Sequence, residues 1–132
     1  MIVVDPSALV AIGLPEADRR IFEVALQLAD AAYLSPISYV ETGIVLTRHG
    51  VLKSLAELDG WLASLSIELR DDIALGRSAA AAYLRFGKGR HPARLNLGDC
   101  FAYALAKALD APLLYKGDDF AQTDIRSALQ PM

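Results

Sequence analysis

The chain has 132 residues, 54% of them hydrophobic and 22% charged, a composition that fits one compact globular domain over residues 1–132 rather than a disordered chain. A net charge of −3 argues against a protein that coats nucleic acid through many phosphate contacts. The lone Cys100 argues against a disulfide scaffold and makes a reducing cytoplasm the expected setting.

The opening "MIVVDPSALVAIG" is apolar, but Asp5 and Pro6 break it and no basic leader precedes it, so it reads as neither a membrane span nor a signal peptide. Ile2 to Val4 predict a short buried strand that delivers Asp5 at its carboxyl end, and Pro6 suits the first position of a helix. From about Glu16 to Ala32, the spacing of Ile21, Val24, Ala25, Leu28 and Ala32 predicts a helix with one apolar face.

"AYLSP" reads as a second strand, with Ser35 and Pro36 as cap and first position of the next helix. That helix, "PISYVETGIVLTRHG", is apolar almost all round, which predicts burial, and Gly50 ends it. The following "VLKSLAELDGWLASL" predicts an amphipathic helix with Leu52, Leu55, Leu58 and Leu62 inward. Ser66 to Arg70 read as a third strand, and Asp71 or Asp72 is expected to start a helix reaching about Phe86. After a basic loop comes the helix opened by Asp99 in "NLGDCFAYALA", then a strand over Pro112–Tyr115 running into the "KGDDF" turn. Strands separated by helices predict a mainly parallel sheet covered on both faces, with the ligand site at the carboxyl ends of the strands.

Asp5 and the Asp118–Asp119 pair both follow strands and so belong to that edge, and Glu41 and Asp99 sit early in helices that enter from it. Singly, each acid has a plain reading: Asp5 and Asp99 as helix caps, Asp118 and Asp119 as a surface turn. Glu41 is harder to place, because on a buried helix among Ile37, Val40, Ile44 and Val45 an unpaired carboxylate costs several kcal/mol or takes up a proton. Gathered at one edge, these acids repel unless a cation lies among them, and the hard cation that prefers carboxylates and water is Mg²⁺, with Mn²⁺ its near relative. The expected chemistry is metal-dependent phosphoryl chemistry.

Zinc fits poorly, since His49 and His91 share no ligand spacing with the lone cysteine. A G-x-S-x-G elbow and a phosphate-binding Gly-rich loop are both missing. The stretch from Tyr83 to Asn96 carries Arg85, Lys88, Arg90 and Arg94 without a carboxylate. It is either a solvated loop or a cationic rim that holds phosphates beside the acids. Tyr83 is a candidate for stacking on bases; Phe86 and Phe101 read as core, Tyr103 as helix surface and Cys100 as a small buried hydrophobe.

"MIVVDPSALVAI", Glu41 within "SYVETGIVL", "YLRFGKGRHPARLNLGDCFAYALAKAL" and "PLLYKGDDFAQTDI" together resemble the PIN-domain ribonuclease toxins of the VapC type over nearly the whole chain. The resemblance implies an α/β/α sandwich and an Mg²⁺- or Mn²⁺-dependent endoribonuclease. It also implies membership of a type II toxin–antitoxin pair, a homodimer, an RNA substrate and a cognate antitoxin that reaches into the site. It places catalytic roles on Asp5, Glu41, Asp99 and Asp119, with metal held chiefly by Asp5 and Asp99. Glu41, Asp118, Asp119 and Asp124 are further candidate ligands, and Arg85, Lys88, Arg90 and Arg94 the RNA-binding candidates. Many relatives have Thr directly after the first aspartate where this chain has Pro6, with Ser7 next to it offering a hydroxyl. Two alternatives stand beside this reading: a receiver-like phosphoacceptor domain, and a catalytically inactive PIN-like binding module.

Overall fold

A computed structural model describes residues 1–129, so the last three positions of the expected 1–132 domain lie outside the described residues. The elements in chain order are β1 (Ile2–Val4), α1 (Pro6–Gly13), α2 (Arg19–Leu28), β2 (Ala32–Leu34), α3 (Pro36–Arg48), α4 (Leu55–Ser64), β3 (Ile67–Leu69), α5 (Gly76–Phe86), α6 (Leu97–Leu109) and β4 (Leu113–Leu114), followed by a short 3₁₀ helix over Phe120–Gln122. The four strands form one parallel sheet in the order β3-β2-β1-β4. Successive side chains of a strand point to opposite faces, and the core divides accordingly. Val3 and Leu113 pack with residues of α5 and α6, whereas Ile2, Val4 and Leu114 pack with α1, α2, α3 and α4. The result is the expected three-layer α/β/α arrangement. Among the described residues no helix is long and apolar enough to cross a membrane.

After β1 the chain builds outward through β2 to β3, then returns across β1 to add β4 on its other side. This reversal puts a crevice between the carboxyl ends of β1 and β4, the usual ligand position in such sheets. Asp5 leaves β1 there, its N–H bonded to the Leu114 carbonyl of β4 at 2.9 Å. The Gly117–Asp119 turn leaves β4 on the same edge, with Gly117 at φ +101°, a conformation that favours glycine.

Several helix faces differ from expectation. On α2 the buried residues are Phe22 and Leu26, while Ile21 and Leu28 are exposed; Ala32 is not in the helix at all but in β2. The stripe one turn apart that meets the core is set by packing against α1, and it is narrower than the apolar pattern. Only Ser38, Thr42 and Leu46 of α3 are buried, spaced one turn apart, and Val40 and Ile44 stand about half exposed. Leu55 is exposed because Ser54 caps α4 and makes Leu55 its first residue, whereas Leu52, Leu58 and Leu62 are buried as expected.

Helix α5 starts at Gly76, not at Asp71 or Asp72, because Asp72 is held by a two-point ion pair with Arg70, Nε to Oδ1 at 2.8 Å and Nη2 to Oδ2 at 3.1 Å. Tyr103 is buried rather than on the helix surface, and its hydroxyl donates to Asp124 Oδ1 at 2.6 Å. Cys100 is buried, as expected of a small hydrophobe, and burial together with the nearby Asp99 pushes its thiol up to about 11.

Candidate active site

The site starts from Asp5, which caps α1. Pro6 at the first helical position has no N–H, so the Ser7 amide is the first orphan donor, and it donates to Asp5 Oδ2 at 3.0 Å. The Ser7 hydroxyl donates to the same oxygen at 2.6 Å. Asp5 Oδ1 is buried and has no hydrogen-bond partner among the described residues. Burial outweighs these two bonds and, with Asp99 and Glu41 adding repulsion, raises the Asp5 carboxyl to about 7.

Asp99 enters from the opposite layer at the third position of α6. The cap is Asn96, not Asp99 as the sequence suggested: Asn96 Oδ1 accepts the Asp99 N–H at 2.9 Å, and Asp99 Oδ2 accepts the Asn96 N–H at 3.0 Å. This reciprocal capping box is legible in the three-residue spacing of Asn96 and Asp99. It fixes the carboxylate through one oxygen. Burial raises the Asp99 carboxyl, the Asn96 bond opposes that, and Asp119 raises it further.

Glu41 projects from the second turn of α3, half-buried, its carboxyl raised first by burial and then by Asp99. It lies against Gly98 of α6, where a Cβ would overlap the carboxylate. Gly98 is a residue that sequence reasoning missed; nothing local in the chain announces that a second helix will come this close. Asp119 stands exposed at the head of the 3₁₀ helix, near enough to perturb Asp99. Asp118 is exposed beside it and is not among the charges that perturb Asp5, Glu41 or Asp99.

The structure thus brings Asp5, Glu41, Asp99 and Asp119 together and leaves Asp124 elsewhere. Asp124 accepts from Tyr103, pairs with Lys107 Nζ at 3.2 Å and lies 3.7 Å from Arg85 Nη1. The Tyr103 bond, then Lys107 and Arg85, hold its carboxyl below the usual range. Two bridging cations and a phenol explain Asp124 as a strut between α6, α5 and the C-terminal segment.

Among the described residues no three His, Cys, Asp or Glu side chains form a ready-made ligand cage. The donor set nevertheless fits an oxygen-seeking divalent cation. Every charge that perturbs Asp5, Glu41 and Asp99 is another carboxylate, and the buried Asp5 Oδ1 has an unused acceptor.

The basic stretch forms an ordered loop. Gly87 and Leu95 make a parallel bridge, the Tyr83 hydroxyl donates to the Lys88 carbonyl at 3.0 Å, and the Ala93 N–H donates to His91 Nδ1 at 3.0 Å. Lys88 and Arg94 are exposed, and Arg94 sits two residues before the Asn96 cap. Arg90 donates through Nε to the Leu84 carbonyl at 3.0 Å. Arg85 faces Asp124 and lies over the Phe86 ring at 4.5 Å. Phe86 is core, as expected.

A model of the PIN domain matches residues 2–126. Ribonuclease VapC30 of Mycobacterium tuberculosis is 44% identical over 130 residues, covering 98% of this chain and 99% of that protein. A ribonuclease VapC of Mycolicibacterium smegmatis is 45% identical over 124 residues, covering 93% and 96%. The crystal structure of M. tuberculosis VapC20, a toxin that cleaves the sarcin–ricin loop, superposes with a TM-score of 0.73 at 16% identity, covering 95% of this chain and 96% of that one, and so shares the fold. The match, together with a strand order unlike the 2-1-3-4-5 of receiver-type sheets, decides against the phosphoacceptor alternative. The chain belongs to the PIN-domain family, in its VapC branch.

Proposed function

We propose that this chain is a metal-dependent endoribonuclease, the toxin of a type II toxin–antitoxin pair, acting as one domain over 1–132 in a reducing cytoplasm. The observation that carries the reading is the meeting of acids from separate parts of the chain: Asp5 beside β4, Glu41 lying against Gly98 next to Asp99, and Asp119 acting on Asp99, with Asp5, Glu41 and Asp99 pushed toward higher pKa by burial and by other carboxylates. The ribonuclease names of its relatives support the same activity.

Asp5, through Oδ1, and Asp99 would hold Mg²⁺ or Mn²⁺. Such an ion, when bound, supplies Lewis-acid activation of water and offsets charge on the phosphodiester. Glu41, with its raised proton affinity, orients the attacking water and accepts its proton, and Asp119 would complete the acidic set beside Asp99. Lys88 and Arg94, with Arg90, hold the flanking phosphates against the repulsion of the acids. Arg85 serves the strut with Asp124 first. The same reading assigns the chain a homodimeric state and a cognate antitoxin.

The deciding experiment incubates purified protein with total RNA, with Mg²⁺ and with chelator, and maps cut sites. Discrete metal-dependent cuts that vanish in Asp99→Asn are expected. Identical profiles with and without metal, or full activity in Asp99→Asn, overturn the proposal.

A further inference from the structure

Ser7 joins the first acid of the site to the segment that carries the last, and the directions of its hydrogen bonds are fixed. The Lys116 N–H donates to Ser7 Oγ at 2.9 Å. A backbone amide can only donate, so the single hydroxyl proton of Ser7 is free to go to Asp5 Oδ2, 2.6 Å away. Oδ2 therefore accepts two bonds from Ser7, and the buried Oδ1 accepts none.

Lys116 is anchored in its own right. Its ammonium bridges Glu16 Oε1 at 2.9 Å and Asp18 Oδ1 at 3.1 Å in the α1–α2 connection. Directly after it come Gly117, at φ +101°, and the Asp118–Asp119 turn. A single hydroxyl thus ties two residues 109 positions apart in the chain.

We infer that Ser7 is a positioning residue for the acidic centre. Its hydroxyl occupies Asp5 Oδ2, which leaves Oδ1 as the ligand atom, and through Lys116 it keeps the turn bearing Asp119 in register with Asp5. The inference rests on the metal-dependent reading proposed above. It also accounts for Pro6: with no N–H at the first helical position and a fixed φ, proline presents the Ser7 amide and hydroxyl to Asp5 together.

Wild type, Ser7→Ala, Ser7→Thr and Ser7→Cys separate this role from helix capping alone. In metal-free protein, amide exchange at Lys116 is expected to rise at least tenfold in Ser7→Ala and to stay near wild type in Ser7→Thr, which keeps the hydroxyl. Mn²⁺ titration by calorimetry is expected to show roughly 10- to 100-fold weaker binding in Ser7→Ala, the range for losing a group that orients a ligand. Ser7→Thr restores the affinity to within a few fold. If Ser7→Ala does not fold, Ser7→Cys, close in shape but a weak donor, carries the same two expectations.

Unchanged Mn²⁺ affinity in a folded variant overturns the inference, because a residue that only caps α1 shifts the melting temperature and leaves affinity alone. Unchanged Lys116 exchange overturns the tie to the Asp119 turn. Wild-type protein that binds no Mn²⁺ overturns the metal-dependent reading itself, and the exchange measurement, which needs no metal, keeps the two failures apart.

Discussion

Gly98, in the first turn of α6, lies so close to the Glu41 carboxylate of α3 that a Cβ at this position would overlap it. Two helices from different parts of the chain therefore meet where one side chain is absent, and that absence admits the carboxylate beside Asp99. Gly98→Ala should leave the helix itself no weaker, since Ala is the better helix former by about 1 kcal/mol. It should displace Glu41, and RNA cleavage should fall at least tenfold while the melting temperature changes little. Wild-type cleavage in this variant would show that the placement of Glu41 is not needed.

Asp5 gives the fold a pH dependence with a definite sign. Its folded carboxyl is raised to about 7 from the ordinary 3.8, so the stability it contributes is full below the unfolded pKa and is lost as pH rises through about 7. At one pKa unit per 1.36 kcal/mol, the loss between pH 4 and pH 8 is at most about 4 kcal/mol. Thermal melts of metal-free protein should show falling stability across this window, and Asp5→Asn should flatten the curve and be the more stable protein at pH 8. Mg²⁺ or Mn²⁺ should restore stability most at the alkaline end, where the ligands are ionised.

Asp119 and Asp124 lie five residues apart and should respond oppositely to the same change. Asp119→Asn removes a charge that acts on Asp99 and should lower cleavage at least tenfold with little effect on melting. Asp124→Asn loosens a strut to Tyr103, Lys107 and Arg85 and should cost about 1 kcal/mol of stability, with cleavage by the folded protein near wild type. Chemical denaturation and cleavage assays on both variants check the contrast.

The basic loop yields a salt-dependence test. Lys88 and Arg94 are exposed, so each alanine variant should weaken RNA binding and reduce the slope of log affinity against log salt by about 0.7, the value for one lost single-strand phosphate contact. Arg85→Ala, whose guanidinium faces Asp124 and Phe86, should change the slope less and lower stability by up to about 1 kcal/mol. Binding measured with a cleavage-deficient Asp99→Asn background separates these effects from turnover.

The amino-acid sequence carries the signals for some residues' places and not for others. Ile2–Val4, Ser35–Pro36 and the Pro112–Tyr115 run state their local structure in β-branched, capping and apolar residues, and the strands and α3 form within a residue or two of where those signals put them. Apolar faces were less legible. Val40, Ile44, Ile21 and Leu28 follow helical spacing and are still exposed, because a helix in an outer layer buries only the stripe that meets the sheet and its neighbours. The opening of α6 shows both sides. Its start was readable from the cluster Asn96–Asp99, but which of the two residues caps depends on a reciprocal pair of bonds, with Asp99 supplying its side chain from the third position.

By itself, the sequence determined the layer architecture and sent Asp5, Glu41, Asp99 and the Asp118–Asp119 pair toward one edge, since strand–helix alternation gathers the residues after parallel strands and an acid on an apolar helix demands partners. Tertiary structure alone decided that Asp119 and not Asp118 acts on Asp99, that Asp124 is a strut, that Gly98 admits Glu41, and that Ser7, beside Asp5, reaches Lys116 across 109 positions. These are contacts between segments distant in the chain, set by how closely packed layers approach, and local spacing carries no record of that approach.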